Sequence, residues 1–435
     1  MREMKDSGIE WIGKIPSDWT VSKITHILDL THPYAIGDGD HGIIKADDYT
    51  DDGIPYIRVN NLGWATELQL SNVVYITQQQ NELIKSSTLK PDDILFAKTG
   101  ATIGKTAIIP KSVAIANTTS HVGKISVSRD HCAKFFYYVL SSYIGYKQFW
   151  DFASLKTTRP ELSIDEIKQT ILISPTSYAE QKAISDHLDL KCKECDTLVI
   201  DIQSQIEALE EYKRSVITEK VTKGLDPDVE MRDSGVQWIG MMPTHWDCQR
   251  GKYILRYVQK PVRDDDGVIT CFRDGEVTLR SNRREEGFTM ADKEIGYQGI
   301  DVGDLVVHGM DGFAGAIGIS DSRGKASPVL NVLDTEQNKR YIMYYLRSMA
   351  YNDVFVALAT GIRVRSCDLR WNKLAELLYP MPPVEEQQAI VEHIDSVLER
   401  TNAIIADKKQ QIETIEEYKK SLIFEYETGE KAVQA

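Results

Sequence analysis

Gly100-Ala-Thr-Ile-Gly104-Lys105-Thr106 has the residue types of a loop that cradles phosphates: glycines for close backbone approach, then a lysine and a threonine. A nucleotide loop needs four residues between its first glycine and the Gly-Lys pair, and here there are three, with Thr99 where the glycine should stand. The spacing excludes nucleotide hydrolysis. It leaves a glycine-rich turn in which Lys98, Thr99, Thr102 and Lys105 bring cations and hydroxyls to a phosphate of the DNA backbone. Cys192-Lys-Glu-Cys195, with His187 nearby, has metal-ligand spacing, but no second pair completes four ligands, so the cysteines read as small buried hydrophobes and no metal is expected.

Other chemistry is missing from the text of the chain. There is no Asn-Pro-Pro-Tyr methyltransferase motif, and neither Pro91-Asp92 nor Pro227-Asp228 is followed by the acidic-x-Lys of a metal-dependent nuclease. Metalloprotease and nucleophile-elbow patterns are absent, and the nine histidines show no ligand spacing. The expectation is a chain with no catalytic residues of its own. What it does carry is polar and basic loop material: Arg58-Val-Asn60-Asn61, Lys156-Thr157-Thr-Arg159, Arg280-Ser-Asn282-Arg283-Arg284 and Arg363-Val-Arg365. Arginine can hold guanine bidentately and asparagine adenine, while lysine and threonine more often meet phosphates. For each cluster a solvated, salt-bridged loop is the competing reading.

Elements must position these loops, and the chain repeats its elements. Asp6-Ser-Gly-Ile-Glu-Trp11-Ile-Gly-Lys-Ile-Pro16-Ser-Asp-Trp19 returns as Asp233-Ser-Gly-Val-Gln-Trp238-Ile-Gly-Met-Met-Pro243-Thr-His-Trp246. Its tryptophans are expected to be packing anchors. Glu180-Gln181 returns as Glu386-Gln387 and Glu211-Tyr212-Lys213 as Glu417-Tyr418-Lys419, both 206 residues on, so a long helix of about residues 180–224 is written again at about 386–430. Leu188, Cys195, Ile202, Leu209 and Val216 recur every seventh residue, the seam of a coiled coil, with Leu198, Val199, Ile206 and Tyr212 on the neighbouring stripe. The second copy sets Ile394, Ile415 and Leu422 on that seam, with Val397, Ile404, Ile405, Ile412 and Tyr418 beside it and the polar Thr401 and Lys408 within it. Each rod should run roughly 65 Å.

Between openers and rods lie two blocks rich in short β-branched or aromatic runs. In the first these are Pro55–Val59, Asn72–Ile76, Asp93–Ala97, Thr106–Ile109 and Gly123–Val127, followed by helices near 133–142 and 164–169. The second repeats the plan loosely, Asp304–His308 matching Asp93–Ala97 and Tyr344–Ser348 matching Tyr138–Ser142. The reading is α+β: a globular domain over 1–175, a spacer helix over 176–226, a second domain over 227–381 and a second helix over 382–435.

The net charge of −14 is unlike a nucleic-acid binder until it is divided. The two blocks, 20–175 and 247–381, carry 15 cations against 16 acids and 19 against 19, while the helical segments 176–246 and 382–435 carry 8 against 14 and 6 against 12. Either block can therefore turn a local basic face to phosphate. The scattered six cysteines argue against a disulfide framework, and with no signal-like or membrane-length apolar run the expected compartment is the cytoplasm.

The opener, the stretch Asp93-Ile-Leu-Phe-Ala-Lys-Thr-Gly-Ala-Thr-Ile-Gly-Lys105, and the Glu-Gln start of a helix carrying Glu-Glu-Tyr-Lys together resemble the specificity subunit of type I restriction-modification systems along the whole chain. The resemblance implies two target recognition domains, each reading one half of a bipartite, non-palindromic DNA target, separated by the long helices as an antiparallel coiled coil with pseudo-twofold repeat. It implies two methyltransferase subunits docked on the helices, restriction subunits joining them, and S-adenosylmethionine, ATP and Mg²⁺ held by those partners, with no cofactor in this chain. The turn His308-Gly-Met-Asp-Gly-Phe-Ala-Gly315 lacks counterparts of Lys98 and Lys105, so no phosphate role passes to it. A two-module protein-binding scaffold without DNA recognition is the alternative, since acidic rods and neutral blocks suit it as well.

Overall fold

The computed structural model describes residues 2–64, 68–155, 160–283, 295–358 and 369–433. They fall into two units, Met1–Asp201 with Gln410–Ala435, and Ile202–Lys409, so each unit holds part of both long helices, Tyr178–Lys223 and Val384–Glu427.

In the first unit the opener folds as a hairpin, Met4–Asp6 against Lys14–Pro16, its turn using Gly8 and Gly13 at φ 75° and 73°. Trp19–Lys23 then pairs antiparallel with Ile171–Pro175, the strand that delivers the chain to the long helix. Gln181, the second residue of the repeated Glu-Gln start, is buried; its amide donates to Pro175 O (2.9 Å) and accepts from Cys132 N (2.9 Å). The helix start is thus clasped to both the preceding strand and the helix Ala133–Ser141. A four-stranded antiparallel sheet runs Ile36–Asp38, Val122–Ile125, Ile94–Ala97, Thr106–Ile108 in spatial order. Alternation decides its two faces. Ile94, Phe96 and Ile125 meet Phe135, Phe136 and Phe149 in the main core, while Leu95, Ala97, Ala107 and Val122 face a second core with Ile57 and Leu62.

The second unit uses the same plan. Arg256–Tyr257, Leu330–Asp334, Leu305–His308 and Ile317–Ile319 stand in the same spatial order, which puts Leu305–His308 where Ile94–Ala97 stands. Asp247–Arg250 pairs with Leu378–Met381 ahead of the second long helix. Gln387 repeats the clasp, donating to Pro382 O (2.9 Å) and accepting from Asn338 N (3.0 Å). Tyr138 donates to Asp189 (2.7 Å) in one unit and Tyr344 to Asp395 (2.5 Å) in the other, again 206 residues apart. The repeated residues are therefore the joints between globular block and rod.

Within each unit the helices run antiparallel. In the first, Asp196 accepts from Lys419 (2.7 Å) while His187 packs on Tyr426 further along; in the second, Gln205 accepts from Lys408, and Ile217 and Val221 share a core with Ile390 and Ile394. Of the expected second stripe, Val199 and Ile206 lie inward and Leu198 and Tyr212 do not. Leu188, Cys195 and Val216 are buried and Ile202 and Leu209 half-buried, as spacing demands, and Ile394, Ile415 and Leu422 point inward with them. The companion stripe is four residues on, Cys192, Val199, Ile206, Lys213, not three. At 100° per residue, four steps return to within 40° of the seam and three fall 60° away on its other side. Leu198 and Tyr212 therefore lie outward at 51% exposure, and their copies Ile404 and Tyr418 do too, at 48% and 53%. Thr401 is buried, its hydroxyl returned to Val397 O (2.7 Å), so it sits in the seam without an unmet donor.

Candidate nucleic-acid interface

The glycine-rich turn joins a central strand of the first sheet, Ile94–Ala97, to the edge strand Thr106–Ile108, and reverses through Gly100 and Gly104 at φ 61° and 94°. Sheet neighbours decide what its side chains can do. Lys98 is 4% exposed and its ammonium is held by Asp38, which lies on the edge strand beyond Val122–Ile125. Thr99 is buried against His121 (3.4 Å), and Thr102 donates to Thr99 O (2.8 Å). Lys98 and Thr99 are thus structural, a correction to their expected phosphate role, and Thr102's proton is spent within the turn. Lys105 is half-buried, and among the described residues its ammonium has no carboxylate partner.

Asn61 is corrected as well. It is fully buried, accepts from Arg58 N (2.8 Å) and donates to Gln69 O (2.8 Å) and Asn72 Oδ1 (3.0 Å), so it braces a loop and cannot face a base. Asn60 beside it is exposed. Arg58 lies over the Tyr49 ring at 5.7 Å and donates to Asn72 O (3.3 Å). Lys156, Thr157, Arg159, Arg284, Arg363 and Arg365 lie outside the described residues.

In the second unit Arg280, Asn282 and Arg283 come together after the hairpin Ile269–Cys271/Val277–Leu279. Arg283 stacks on Phe272 at 4.2 Å and is paired with Asp274 (2.8 Å) and Glu276 (2.9 Å); Asn282 donates to Thr278 (2.8 Å); Arg280 donates to Thr270 (3.2 Å). Asn282 and Arg283 are exposed, so this loop presents polar groups already oriented by protein partners. The equivalent of the glycine-rich turn closes on Gly315 at φ 97°, and the place of Lys105 is taken by Ala316, fully buried. His308 accepts from Asp311 N (2.9 Å) and burial lowers its pKa, so the ring is neutral at pH 7 and offers no cation.

Sequence reasoning missed three aromatic residues in the first unit. Trp64 (48% exposed), Tyr146 (37%) and Trp150 (37%) adjoin one another, with ring centroids 5.8 Å apart for the first pair and 6.4 Å for the second. No linear signal joins Trp64 to the other two; the pairing of Gly63 with Thr106 at the sheet edge does. The Cys192-Cys195 pair is buried, the Cys192 thiol being pushed up to about 12 by burial, and His187 is stacked on Tyr426. Among the described residues no cluster of His, Cys, Asp and Glu has the composition of a metal site. No described helix is long and apolar enough to cross a membrane.

Residues 16–208, which run from the first opener into the first rod, match the family model for the type I restriction modification DNA specificity domain. A putative type I restriction enzyme specificity subunit of Methanocaldococcus jannaschii is 20% identical over 97% of this chain and 96% of its own length. The first half of this chain thus carries a match to the type I restriction modification DNA specificity domain, and along its length the chain is similar to a specificity subunit of a type I restriction enzyme. The EcoBI specificity subunit of Escherichia coli is 24% identical over 47% of this chain and 41% of its own length. Two solved structures share the fold at 12% identity. One, from a study of assembly and conformational transition in a type I system, has a TM-score of 0.66 over 96% of this chain and 99% of the other. The HsdS subunit of Thermoanaerobacter tengcongensis has a TM-score of 0.50 over 96% of this chain and 98% of its own. The α+β architecture with two long helices is the fold shared with these structures.

Proposed function

We propose that this chain is a specificity subunit of a type I restriction-modification system: its two globular blocks, 20–175 and 247–381, each read one half of a bipartite, non-palindromic DNA target, while the two long helices set the interval and dock two methyltransferase subunits. The observation that carries the reading is the repeated joint: Trp19 and Trp246, Gln181 and Gln387, Tyr138–Asp189 and Tyr344–Asp395 recur on one frame, whereas the loops mounted on the two matching sheets differ in every candidate contact. A repeated frame imitates a dimer on two half-sites, and unequal loops make those half-sites unequal. Lys105 with Arg58 and Asn60 in the first block, and Arg280, Asn282 and Arg283 in the second, remain as contacts. Partner docking is supported by the outward Leu198 and Tyr212 recurring as Ile404 and Tyr418, so that each unit offers one aliphatic residue and one tyrosine to an identical partner. Methyl transfer and cleavage, with S-adenosylmethionine, ATP and Mg²⁺, belong to the partner subunits in this reading.

The test is duplex binding by the chain assembled with its methyltransferase partner. Affinity should fall about 10³-fold between 50 and 200 mM salt if six or more phosphates are contacted. Tyr212→Asp with Tyr418→Asp should release the partner and with it the affinity. A flat salt dependence would sink the DNA reading, and full partner binding by the double variant would sink the docking surface.

Spacing is tested separately. Inserting one helical turn beside Gln205, with the compensating turn in the other helix beside Lys408, should change the number of base pairs between half-sites and leave both half-sites unaltered. Mapping methylated sites in cells carrying the variant reads this directly, and an unchanged interval contradicts the ruler.

A further inference from the structure

Three half-exposed aromatic rings on one small surface are unusual in a soluble block, because large apolar groups left in water mark places where something else docks. Tyr146 and Trp150 lie on one face of the helix Tyr143–Ser154 with ring planes only 13° apart, and Trp64 meets Tyr146 edge-on at 72°. Gly104 underlies the pair: a Cβ there would come within 2.5 Å of Tyr146 and 3.1 Å of Trp64. The turn is therefore pressed against the rings, and the next residue is Lys105, the cation with no carboxylate partner among the described residues.

We propose that Trp64, Tyr146 and Trp150 form a ledge on which a nucleobase of the first half-site stacks, its phosphate taken by Lys105. The proposal deepens the DNA reading above and rests on it. Aromatic faces accept any base by stacking, and a cation one residue from the ledge supplies the charge that a flanking phosphate needs. A base in an intact duplex shows its edge, not its face, so stacking on the ledge requires that one step in or beside the half-site be opened. Among the described residues the second block does not repeat this device at the matching turn: at the position of Gly104 its Gly315 abuts the backbone oxygen of Arg273, and Ala316 replaces the lysine. One half-site is thus contacted by stacking and the other by oriented arginines.

The experiment uses the chain assembled with its methyltransferase partner and duplexes carrying 2-aminopurine at successive positions across and beside each half-site. Fluorescence should rise severalfold at one position of the first half-site and at none of the second. Trp64→Ala should lower affinity about 10- to 100-fold and abolish the rise, while Trp64→Phe keeps both. Equal thermal midpoints for the variants and the wild type exclude a folding defect, which half-exposure of Trp64 makes the expected result. If the wild type binds duplex with steep salt dependence but no position brightens, or Trp64→Ala binds normally, the ledge is overturned and the DNA reading stands. If Trp64→Ala loses the methyltransferase subunit while the assembled fraction binds DNA normally, the surface is a protein interface and the proposal is equally overturned. Failure of the wild type to bind duplex at all is the separate failure of the DNA reading.

Discussion

Trp19→Ala lowers the stability of the first unit by about 3–5 kcal/mol, the cost of emptying a fully buried large aromatic site. Trp19 is 1% exposed, edges Phe135 at 6.1 Å, and donates its indole N–H to Glu180 (3.1 Å), a carboxylate also held by Arg2 (2.5 Å). Gly429, just past the second long helix, lies so close that a Cβ would reach 2.4 Å from Pro16 and 3.3 Å from the indole. The ring therefore joins the opener, the start of one helix and the end of the other. Its copy Trp246 is as deeply buried, packs on Gly224, and has an indole N–H with no acceptor among the described residues, because Glu386 binds His245 instead (2.9 Å). Phenylalanine separates packing from hydrogen bonding. Trp19→Phe strands Glu180 partly and costs more than Trp246→Phe, which removes an unsatisfied donor. Urea unfolding of the three variants reads both differences, and equal costs for the two phenylalanine variants would contradict the assignment of Glu180 as the acceptor that matters.

What could be read in the chain beforehand follows from how local each signal is. Short β-branched runs between turn residues located the strands now seen at Ile54–Ile57, Ile94–Ala97, Thr106–Ile108 and Val122–Ile125, because strand formation on a half-buried surface is written in the strand itself. The seven-residue repeat located the seam, since every member sits on one helix. Apolarity alone suggests Leu198 and Tyr212 for the stripe beside it, but three residues from a seam position they fall about 60° away and turn outward. Contacts between elements were not legible. Nothing adjacent to Lys98 announces that Asp38 will lie beside it, or that Asn61 will be enclosed by Gln69 and Asn72, and a basic or amide side chain in a loop looks the same whether it faces solvent or a carboxylate. The aromatic ledge was hidden for the same reason, its rings being contributed by the sheet edge and by a helix some eighty residues on.

Glu427→Val raises the stability of the first unit by about 1–3 kcal/mol at pH 7, the size of the penalty for a buried polar group that lacks partners. Glu427 ends the second long helix, is fully buried, and neither carboxyl oxygen has a hydrogen-bond partner among the described residues. The position 206 residues earlier is Val221, also fully buried, so the frame accommodates valine at this joint. Burial pushes the carboxyl well above its ordinary value; Ser142 opposes the shift, but its hydroxyl proton is given to Val139 O (2.8 Å). A helix C-terminus adds to the cost of a negative charge there. The direction with pH follows from proton binding. Between the free-chain carboxyl value of about 4.3 and the higher folded value, the folded state holds a proton that the unfolded chain has lost, so stability declines as pH rises through that interval. Below the free-chain value both states are protonated and the contribution is complete. The wild type should therefore lose stability from about pH 4.5 upward relative to Glu427→Val, and Glu427→Gln should flatten the profile while recovering less stability, because an amide leaves polar atoms buried. Thermal unfolding of the three proteins across pH 4.5 to 8 reads the difference; a constant offset between wild type and the valine variant over that range would show that the carboxyl is not held protonated by the fold.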